Sequence, residues 1–538
     1  MQHRALMQHA IRLASALCLL ALGGTFFSAA AAPRDELRLV VAAGPHSLDP
    51  LLGTTAEEGA LAGLAFDDLL FVEPDGRFAP DLAREVPSLR NGDISPDGRR
   101  IVFRLRKGVR WQDGVPLTSA DVAYTIRTIL DPHLAISVRS GYDDIASLQT
   151  PDRWTVVFTL KHAYAPFVAT VGTQYPIVPQ HVLAKAGNVM QAPFNGQPLG
   201  SGPYEFVRWI RGDRIEYVAN PHYWGGPPKI PKVTVLEIPD VTTIALELRS
   251  GALDYAPLES SQFAQLRHDP SLVAQITPNN DFVAYALNLQ RPVLRDVRLR
   301  RAISMAIDRV ALVRDVTFGT GEVAYADLPA FMWTHAVPRN PYGYDPAAAN
   351  ALLERAGWRR GTDGVRERDG HRLALTLIDF SGSVSGHTID VEVQQMLAAV
   401  GIATELKYYA PSLYFGPAAD GGPLYLGEFD LAAFQFVAGN DPLNDFLYRC
   451  ANAAPNGFNA ARYCSPKMEA LQAASLRELD PVKRLALVAK IEQLAATDVP
   501  YVFLYHTPWR VVHTPSLRDA GPTLGSEWNQ VNRWSFAP

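Results

Sequence analysis

Hydrophobic and polar positions alternate over residues 101–105 and change to helical spacing before residue 130. Ile101, Phe103 and Leu105 share one face of the first stretch, as the buried side of a strand requires. Thr118 can accept a hydrogen bond from the backbone N–H of Asp121, and the Asp121 carboxylate can accept one in return, which marks a helix start. The segment therefore predicts a strand, a turn and a helix.

The same two periods predict an alternation of strands and helices along the rest of the chain. Period-two patterns predict strands at residues 37–41, 155–160, 233–238 and 501–505. Residues 372–408 predict a strand, a helix and a second strand, a βαβ unit that needs a parallel, mostly buried sheet. Capping residues placed before prolines predict helices after Asp345, Ser465 and Asp480. Together these patterns predict an α/β fold.

Composition separates residues 1–31 from the remainder. Arg4 and Arg12 precede an apolar run over residues 13–27, and four small residues follow it. This is the pattern of a secretory signal peptide, with cleavage expected after Ala30 or Ala31. A transmembrane anchor is the alternative, but the run is short for one and contains two adjacent glycines. We therefore expect a soluble exported protein.

Charge and length bound the function of the remaining chain. The full sequence of 538 residues is 48% hydrophobic and 20% charged, which suits two or three packed domains. Removal of residues 1–31 leaves 48 Lys and Arg against 55 Asp and Glu, a net charge of −7. A negative surface does not attract nucleic acid phosphates, so we expect no nucleic acid partner.

Two cysteines, Cys450 and Cys464, remain after signal removal. Their closeness in an exported chain favours a disulfide, which would stabilise the fold by about 3 kcal/mol in the chain-entropy model. Two free buried thiols are the alternative.

Recognisable catalytic motifs are missing from the sequence. It has no H-E-x-x-H, C-x-x-C or Walker A pattern, and the eleven histidines of the mature chain are scattered. Residues 382–386 come near the nucleophile elbow G-x-S-x-G but place Val384 where serine must stand, so we interpret them as a flexible loop. Residues 319–324 match G-x-G-x-x-A but follow a predicted helix, whereas a dinucleotide site needs a strand there. We expect no catalytic residues, metal or cofactor.

Two loops at strand ends are the candidate ligand contacts. The first follows the strand at 37–41 and contains Ser47 and Leu48, at a sheet edge where α/β folds bind ligands. The second is an apolar strand that breaks into Gly-Asn-Asp-Pro and exposes backbone groups and a carboxylate. Its candidate residues are Phe436, Val437, Ala438, Asn440 and Asp441.

Four segments, in this order, resemble the family 5 extracellular solute-binding proteins, the peptide and nickel receptors that feed ABC importers. They are FRLRKGVRWQDGVPLTSADVAYT at 103–125, NPHYWGGPPK at 220–229, DVRLRRAI at 296–303 and the strand that ends in Asp441-Pro442. The S-L-D-P sequence that contains Ser47 and Leu48 also matches the family.

The resemblance implies a type II periplasmic-binding-protein fold with two lobes and an extra subdomain on the first. We expect the first lobe to comprise residues 32–74, 200–285 and 507–538. The extra subdomain would comprise residues 75–199 and the second lobe residues 286–506.

The resemblance also implies a ligand contact that this chain alters. Peptide-binding members carry an aspartate four residues before the proline, which pairs with the peptide α-ammonium; Ala438 occupies that position here. A buried ammonium without a counter-charge costs several kcal/mol, so either Asp441 substitutes or the ligand has no free amino terminus. Alternatively, Asp441 only caps a helix near Phe446 and Phe436 belongs to the core. If Asp441 binds the ligand, Asp441→Ala should weaken binding without lowering the melting temperature.

The function that follows is a periplasmic receptor that captures a peptide between two lobes and delivers it to a membrane permease. Relatives of the family also carry opines, oligosaccharides and chelated nickel, so a non-peptide solute is the alternative within this role. A secreted hydrolase and a periplasmic chaperone are the alternatives of other classes. We expect a monomer whose partners are the small ligand and the permease subunits.

Overall fold

The computed structural model describes residues 34–53, 55–73, 75–134, 136, 139–329, 332, 342–437, 439, 441–524, 526–528 and 530–537. The predicted signal peptide and two candidate site residues, Ala438 and Asn440, lie outside this set. Residues Glu36–Ala537 form one compact unit.

The first part of the chain forms a small antiparallel sheet with helices beside it. The strands in this part of the chain are β1 Glu36–Val41, β2 Leu70–Val72, β3 Phe78–Pro80, β4 Arg100–Arg104, β5 Ile145–Asp152 and β6 Thr155–Leu160. Its helices are α1 Ala56–Ala65, α2 Ser119–Ile129, α3 Phe167–Thr173 and α4 Gln180–Leu183. β4, β6 and β5 form the sheet in that order. The predicted cap of α2 is confirmed, since Thr118 and Asp121 form a reciprocal capping box.

The next part returns to β1 and completes a second sheet. Its elements are β7 Tyr204–Ile210, β8 Arg214–Ala219, β9 Lys232–Glu237, α5 Val241–Ser250, β10 Tyr255–Pro257, α6 Ser260–Leu266 and β11 Val273–Leu287. The sheet order is β1-β9-β8-β7, with β1 and β9 parallel. Side chains of this sheet and of the small sheet share one hydrophobic core, so the two regions are continuous.

The remaining chain completes the largest sheet and adds two smaller ones, β13-β14-β15 and β20-β21, whose residues are given below. Its helices are α7 Val297–Ala306, α8 Arg309–Asp315, α9 Pro346–Arg355, α10 Val384–Ala399, α11 Pro411–Tyr414, α12 Pro423–Leu426, α13 Asp445–Tyr448, α14 Pro466–Arg477 and α15 Pro481–Asp498. Its strands are β12 Glu322–Val323, β13 Arg359–Arg360, β14 Arg366–Arg368, β15 His371–Arg372, β16 Ala374–Phe380, β17 Ala403–Tyr409, β18 Leu431–Val437, β19 Tyr501–His513, β20 Leu517–Arg518 and β21 Ser535–Phe536.

The largest sheet has the order β10-β19-β11-β18-β16-β17. The predicted βαβ unit is confirmed, because β16, α10 and β17 follow one another and the strands pair in parallel. Residues 382–386 are not the flexible loop that their glycines suggested. Ser383 accepts a hydrogen bond from the Gly386 backbone N–H at 3.0 Å and caps α10.

Two long strands, β11 and β19, lie side by side in this sheet. They pair over residues 273–277 with 509–513 and again over 281–286 with 501–507. The register shifts between Thr277 and Asp281, so the ladder is interrupted near its middle. The predicted domain boundaries at 285/286 and 506/507 cut these two strands, and all the domain limits remain predictions.

Among the described residues, no helix has both the length and the apolar character needed to cross a membrane.

Candidate ligand-binding site

The open edge of β18, residues 433–437, is the main feature of the candidate site. β11 pairs with β18 along its full length, whereas β16 pairs with it only at Leu431 and Ala432. Beyond that point, no described strand lies on the second side of β18. An unpaired edge presents free backbone N–H and C=O groups to another extended chain.

One side chain fixes where this edge begins. The Tyr414 hydroxyl is 2.7 Å from the carbonyl oxygen of Ala433 and 3.4 Å from that of Ile378 in β16. The Ala433 carbonyl therefore points to the side of β18 from which β16 has diverged. Because backbone groups alternate along a strand, those of Gln435 and Val437 face the same open side.

Aromatic side chains lie on both sides of the gap between β16 and β18. The Phe436 ring centroid is 4.4 Å from that of Phe446 and 5.7 Å from that of Phe458. Across the gap, Phe380 at the end of β16 is 5.5 Å from Phe415, which is exposed. Phe436 is only partly buried, so the cluster is neither a closed core nor fully solvated. The open edge is thus bordered by apolar surface.

Asp441 is paired with Arg484 of α15. Arg484 Nη1 donates to Asp441 Oδ2 at 2.7 Å, and Nη2 donates to Oδ1. The Asp441 side chain is 13% exposed and the Arg484 side chain is 11% exposed. Asp441 does not cap the following helix, because α13 has Asn444 at its N-cap and no side-chain cap. A contact between Asp441 and the ligand remains a prediction, and such a contact must share a carboxylate that is already neutralised.

Ser47 and Leu48 lie in a closely hydrogen-bonded turn after β1. Ser47 Oγ accepts from the Asp49 backbone N–H at 3.0 Å, and the Leu48 N–H donates to the Asn195 carbonyl at 2.8 Å. Burial raises the pKa of Asp49 to about 6. Ligand contact by Ser47 and Leu48 stays a prediction.

Asp281 is a site candidate that the sequence did not reveal. It lies opposite Val437 in the β11–β18 ladder, and its Oδ2 accepts from Gln435 Nε2 at 2.9 Å. Its Oδ1 is buried and has no hydrogen-bond partner among the described residues. Burial raises the pKa of Asp281 to about 7. The available signal was the polar run Asn279-Asn280-Asp281 directly before an apolar strand.

Arg510 of β19 is a second unpredicted candidate. Its Nε donates weakly to the Leu258 carbonyl at 3.4 Å, and its buried Nη1 has no partner within the described set. Burial lowers the pKa of its guanidinium, while the charges of Glu259, Tyr505 and Asp281 raise it.

The described residues contain no group of three or more His, Cys, Asp or Glu side chains suited to a metal ion. The predicted disulfide between Cys450 and Cys464 is confirmed.

Comparisons with known proteins cover nearly the whole chain. The family profile described as "Bacterial extracellular solute-binding proteins, family 5 Middle" matches residues 77–458. Protein XP55 of Streptomyces lividans is 34% identical over 482 residues, which cover 88% of this chain and 83% of that protein. The oligopeptide-binding protein AppA of Bacillus subtilis is 26% identical over 416 residues, which cover 75% of this chain and 74% of that protein.

Among solved structures, the periplasmic binding protein DppA of Helicobacter pylori, in complex with the peptide STSA, superposes with a TM-score of 0.77. It is 25% identical, and the match covers 94% of this chain and 99% of that one. The predicted two-lobed type II periplasmic-binding-protein fold is thereby confirmed.

Proposed function

The chain belongs to the bacterial extracellular solute-binding proteins of family 5, and we propose that it is the periplasmic receptor of an ABC importer for peptides. In this role it captures a peptide between its two lobes and delivers it to a membrane permease. The observation that carries the proposal is the open edge of β18, where no described strand pairs with the outward-facing backbone groups of Gln435 and Val437. A peptide in extended conformation can pair with this edge as an added strand.

The aromatic border of the edge suits the side chains of such a peptide. Alternate side chains of an added strand point to opposite faces of the sheet. Those on one face would meet the aromatic side chains beside the gap, with Phe436 and Phe458 next to β18 and Phe415 next to Phe380 of β16. Backbone pairing is independent of the peptide sequence, and the surrounding pockets would supply the selectivity.

Contacts between the two lobes support a capture mechanism that depends on closure. The Ala165 N–H, near the small antiparallel sheet, donates to the Leu476 carbonyl in α14 at 2.7 Å. Tyr164 is buried beside this contact, and burial and the charges of Asp445 and Asp441 raise its pKa. A ligand that touches both lobes binds the closed state more tightly and shifts the equilibrium toward it.

This role includes several finer statements about the protein. The mature chain would act in the periplasm after its signal peptide is removed, and it would bind without chemical turnover. It would work as a monomer that contacts the permease subunits, and its net charge of −7 would keep nucleic acids away.

A non-peptide solute is the second candidate within the same role. It is favoured by the lack of an acidic side chain at Ala438 and by the neutralisation of Asp441 by Arg484. A ligand without a free amino group, such as an oligosaccharide, would need neither carboxylate. An opine or a chelated nickel ion would differ from a peptide in another way, because neither requires strand pairing.

The ligand that co-purifies with the protein distinguishes these candidates. Native mass spectrometry of the mature periplasmic protein gives the mass of the complex, and the denatured protein gives the mass of the released molecule. A ladder of peptide masses supports the peptide receptor, whereas one discrete non-peptide mass supports the second candidate. Incubation of the pure protein with a peptide mixture tests a hydrolase, which would release fragments.

A further inference from the structure

One face of β18 changes along its length from buried core to exposed surface. Ala432, Phe434 and Phe436 share this face, because alternate residues of a strand point to the same side. Phe434 is buried, with its ring centroid 5.9 Å from that of Tyr501 and 6.1 Å from that of Phe282. Phe436, two residues nearer to the end of the strand, is only partly buried. The hydrophobic core therefore ends at Phe434, and Phe436 lies at its border.

Two further phenylalanine rings extend this border beside Phe436. The ring centroid of Phe446 in α13 is 4.4 Å from that of Phe436, and the ring planes are inclined by 31°. The Phe458 centroid is 5.7 Å from that of Phe436 at an inclination of 58°, and Phe458 is 47% exposed. Aromatic rings attract one another at centroid distances of about 4.5–7 Å in inclined or offset arrangements. We call these three residues the Phe436 cluster, and its exposed side can accept a further ring.

The opposite side of the gap, at the end of β16, presents aromatic side chains to the same face. Ile378 of β16 pairs with Ala432 of β18, so their side chains share a face, and Phe380 follows two residues after Ile378. Phe380 contacts Phe415, which is 50% exposed. Among the described residues three phenylalanines are exposed, and two of them, Phe415 and Phe458, border this gap. Exposed apolar surface concentrated in one place indicates a binding surface.

Charged side chains near the Phe436 cluster are compensated within the protein. Asp441 is paired with Arg484. Asp445 is buried; burial raises its pKa, and the charge of Arg449 opposes that shift. A charged ligand side chain on the cluster would lose its hydration and find no free counter-charge among these groups. The surface therefore favours an uncharged, apolar side chain.

We propose that the receptor selects its peptides by one aromatic side chain, which packs on the Phe436 cluster. The inference rests on the proposed peptide receptor and on pairing of the peptide with β18. Directly opposed residues of paired strands point to the same face, so the ligand residue opposite Phe436 directs its side chain to the cluster. The residues before and after it point to the opposite face, which carries Gln435 and Val437. We therefore expect selectivity at one ligand position and tolerance at the two adjacent positions.

A purely structural role for the exposed ring accounts for less of this arrangement. A half-exposed aromatic side chain contributes only part of the stability that full burial would give. The turn that carries Phe458 is held by backbone hydrogen bonds, from the Asn459 N–H to the Asn452 carbonyl at 2.9 Å and from the Ala454 N–H to the Asn459 carbonyl at 3.2 Å. The Phe458 ring is therefore not needed to form its own segment, and it lies where a ligand can cover it.

A random peptide library tests the proposal on the wild-type protein. The mature protein, freed of its native ligand, is incubated with random pentapeptides. Bound peptides are released by denaturation and sequenced by mass spectrometry, and the frequency of each residue is compared with that in the input. We expect Phe, Tyr and Trp together to be enriched about tenfold at one position, because burial of an aromatic side chain favours binding, and not at the two adjacent positions. Capture of peptides without this enrichment overturns the inference and leaves the peptide receptor intact, whereas capture of no peptide overturns both.

Three variants locate the selectivity, each checked for folding by its melting temperature. Phe458→Ala removes a half-exposed ring, so it should still fold and capture peptides but lose most of the aromatic enrichment. Phe458→Tyr keeps a ring and should retain the enrichment. Phe318→Ala is the matched control, because Phe318 is 45% exposed and precedes β12, from which β19 and β11 separate β18. Retention of the full enrichment by a folded Phe458→Ala protein overturns the proposal, as does its loss in either of the other two variants.

Discussion

Arg484 holds Asp441 through two parallel hydrogen bonds that connect α15 to the segment after β18. Both side chains are largely buried, so each is the counter-charge of the other. This pairing changes the expected effect of substitution at Asp441.

Asp441→Ala should destabilise the protein, because it leaves the Arg484 guanidinium buried without a counter-charge. Removal of one partner of a buried pair costs about 3 kcal/mol. Thermal unfolding of the ligand-free protein should therefore show a clear fall in melting temperature. The double variant Asp441→Ala/Arg484→Met should recover much of the loss. An unchanged melting temperature in the single variant would restore the sequence-based view of Asp441 as a pure ligand contact.

Val437→Pro should weaken peptide binding at least tenfold without unfolding the protein. The substitution removes the N–H that faces the open side of β18, a position where proline is tolerated in an edge strand. Val437→Thr is the control, since it keeps the backbone donor and the branched side chain. Calorimetric titration with a captured peptide gives the affinities. Equal affinities for both variants would argue against strand pairing at this edge.

Loss of the Cys450–Cys464 disulfide should lower stability by about 3 kcal/mol, because the unfolded chain gains the freedom of a closed loop. The double Cys450→Ser/Cys464→Ser variant should melt at a lower temperature than the oxidised wild type. Reductant should lower the melting temperature of the wild type and leave that of the variant unchanged. Sensitivity of the double variant to reductant would contradict this account.

Asp390 and Asp379 should make the stability of the fold fall as the pH rises. Burial and the neighbouring charge of Asp379 raise the pKa of Asp390 to about 8, and burial raises that of Asp379 to about 6. A carboxyl whose pKa is raised by folding stabilises the folded state below its unfolded pKa, and this contribution is lost as the pH rises through the folded pKa. Among the described residues, other titratable groups close to the pair are the Tyr285, Tyr408 and Tyr414 hydroxyls and the His387 ring.

Asp390→Asn should reduce this dependence, because the amide keeps the protonated shape at every pH. Melting temperatures measured from pH 5 to pH 8 should fall less for the variant than for the wild type. Parallel profiles would show that the pair does not titrate in this range.

Local signals in the sequence were sufficient for most elements of the fold. The capping box of Thr118 and Asp121 involves residues three positions apart, and a helix start of this kind is set by its own turn. Residues 382–386 were misread because their glycines suggested a loop. The Ser383 hydroxyl provides the cap for α10 within that same segment.

The site could be predicted only in part, for a physical reason. The strand that ends at Val437 was visible as an apolar run, but its open edge depends on where β16 diverges, which no local pattern records. Arg484 lies 43 residues after Asp441, and Arg510 lies far beyond Asp281. Pairings at such separations follow from the assembled sheet. The likeness to a family supplied the architecture, whereas the charge pairing beside the open edge of β18 follows only from the assembled fold.

The interruption between Thr277 and Asp281 has a mechanical consequence. β11 and β19 are each bound into paired ladders above and below this point, and Pro508 of β19 lies within the gap and has no N–H to close it. Two strands that are hydrogen-bonded to each other on both sides of the break can bend together about one axis at the break. The hydrogen bonds resist sliding and separation of the strands. We therefore expect opening and closing to follow a single rotation. The permease would then contact the same closed conformation of the receptor, whatever the length of the bound ligand.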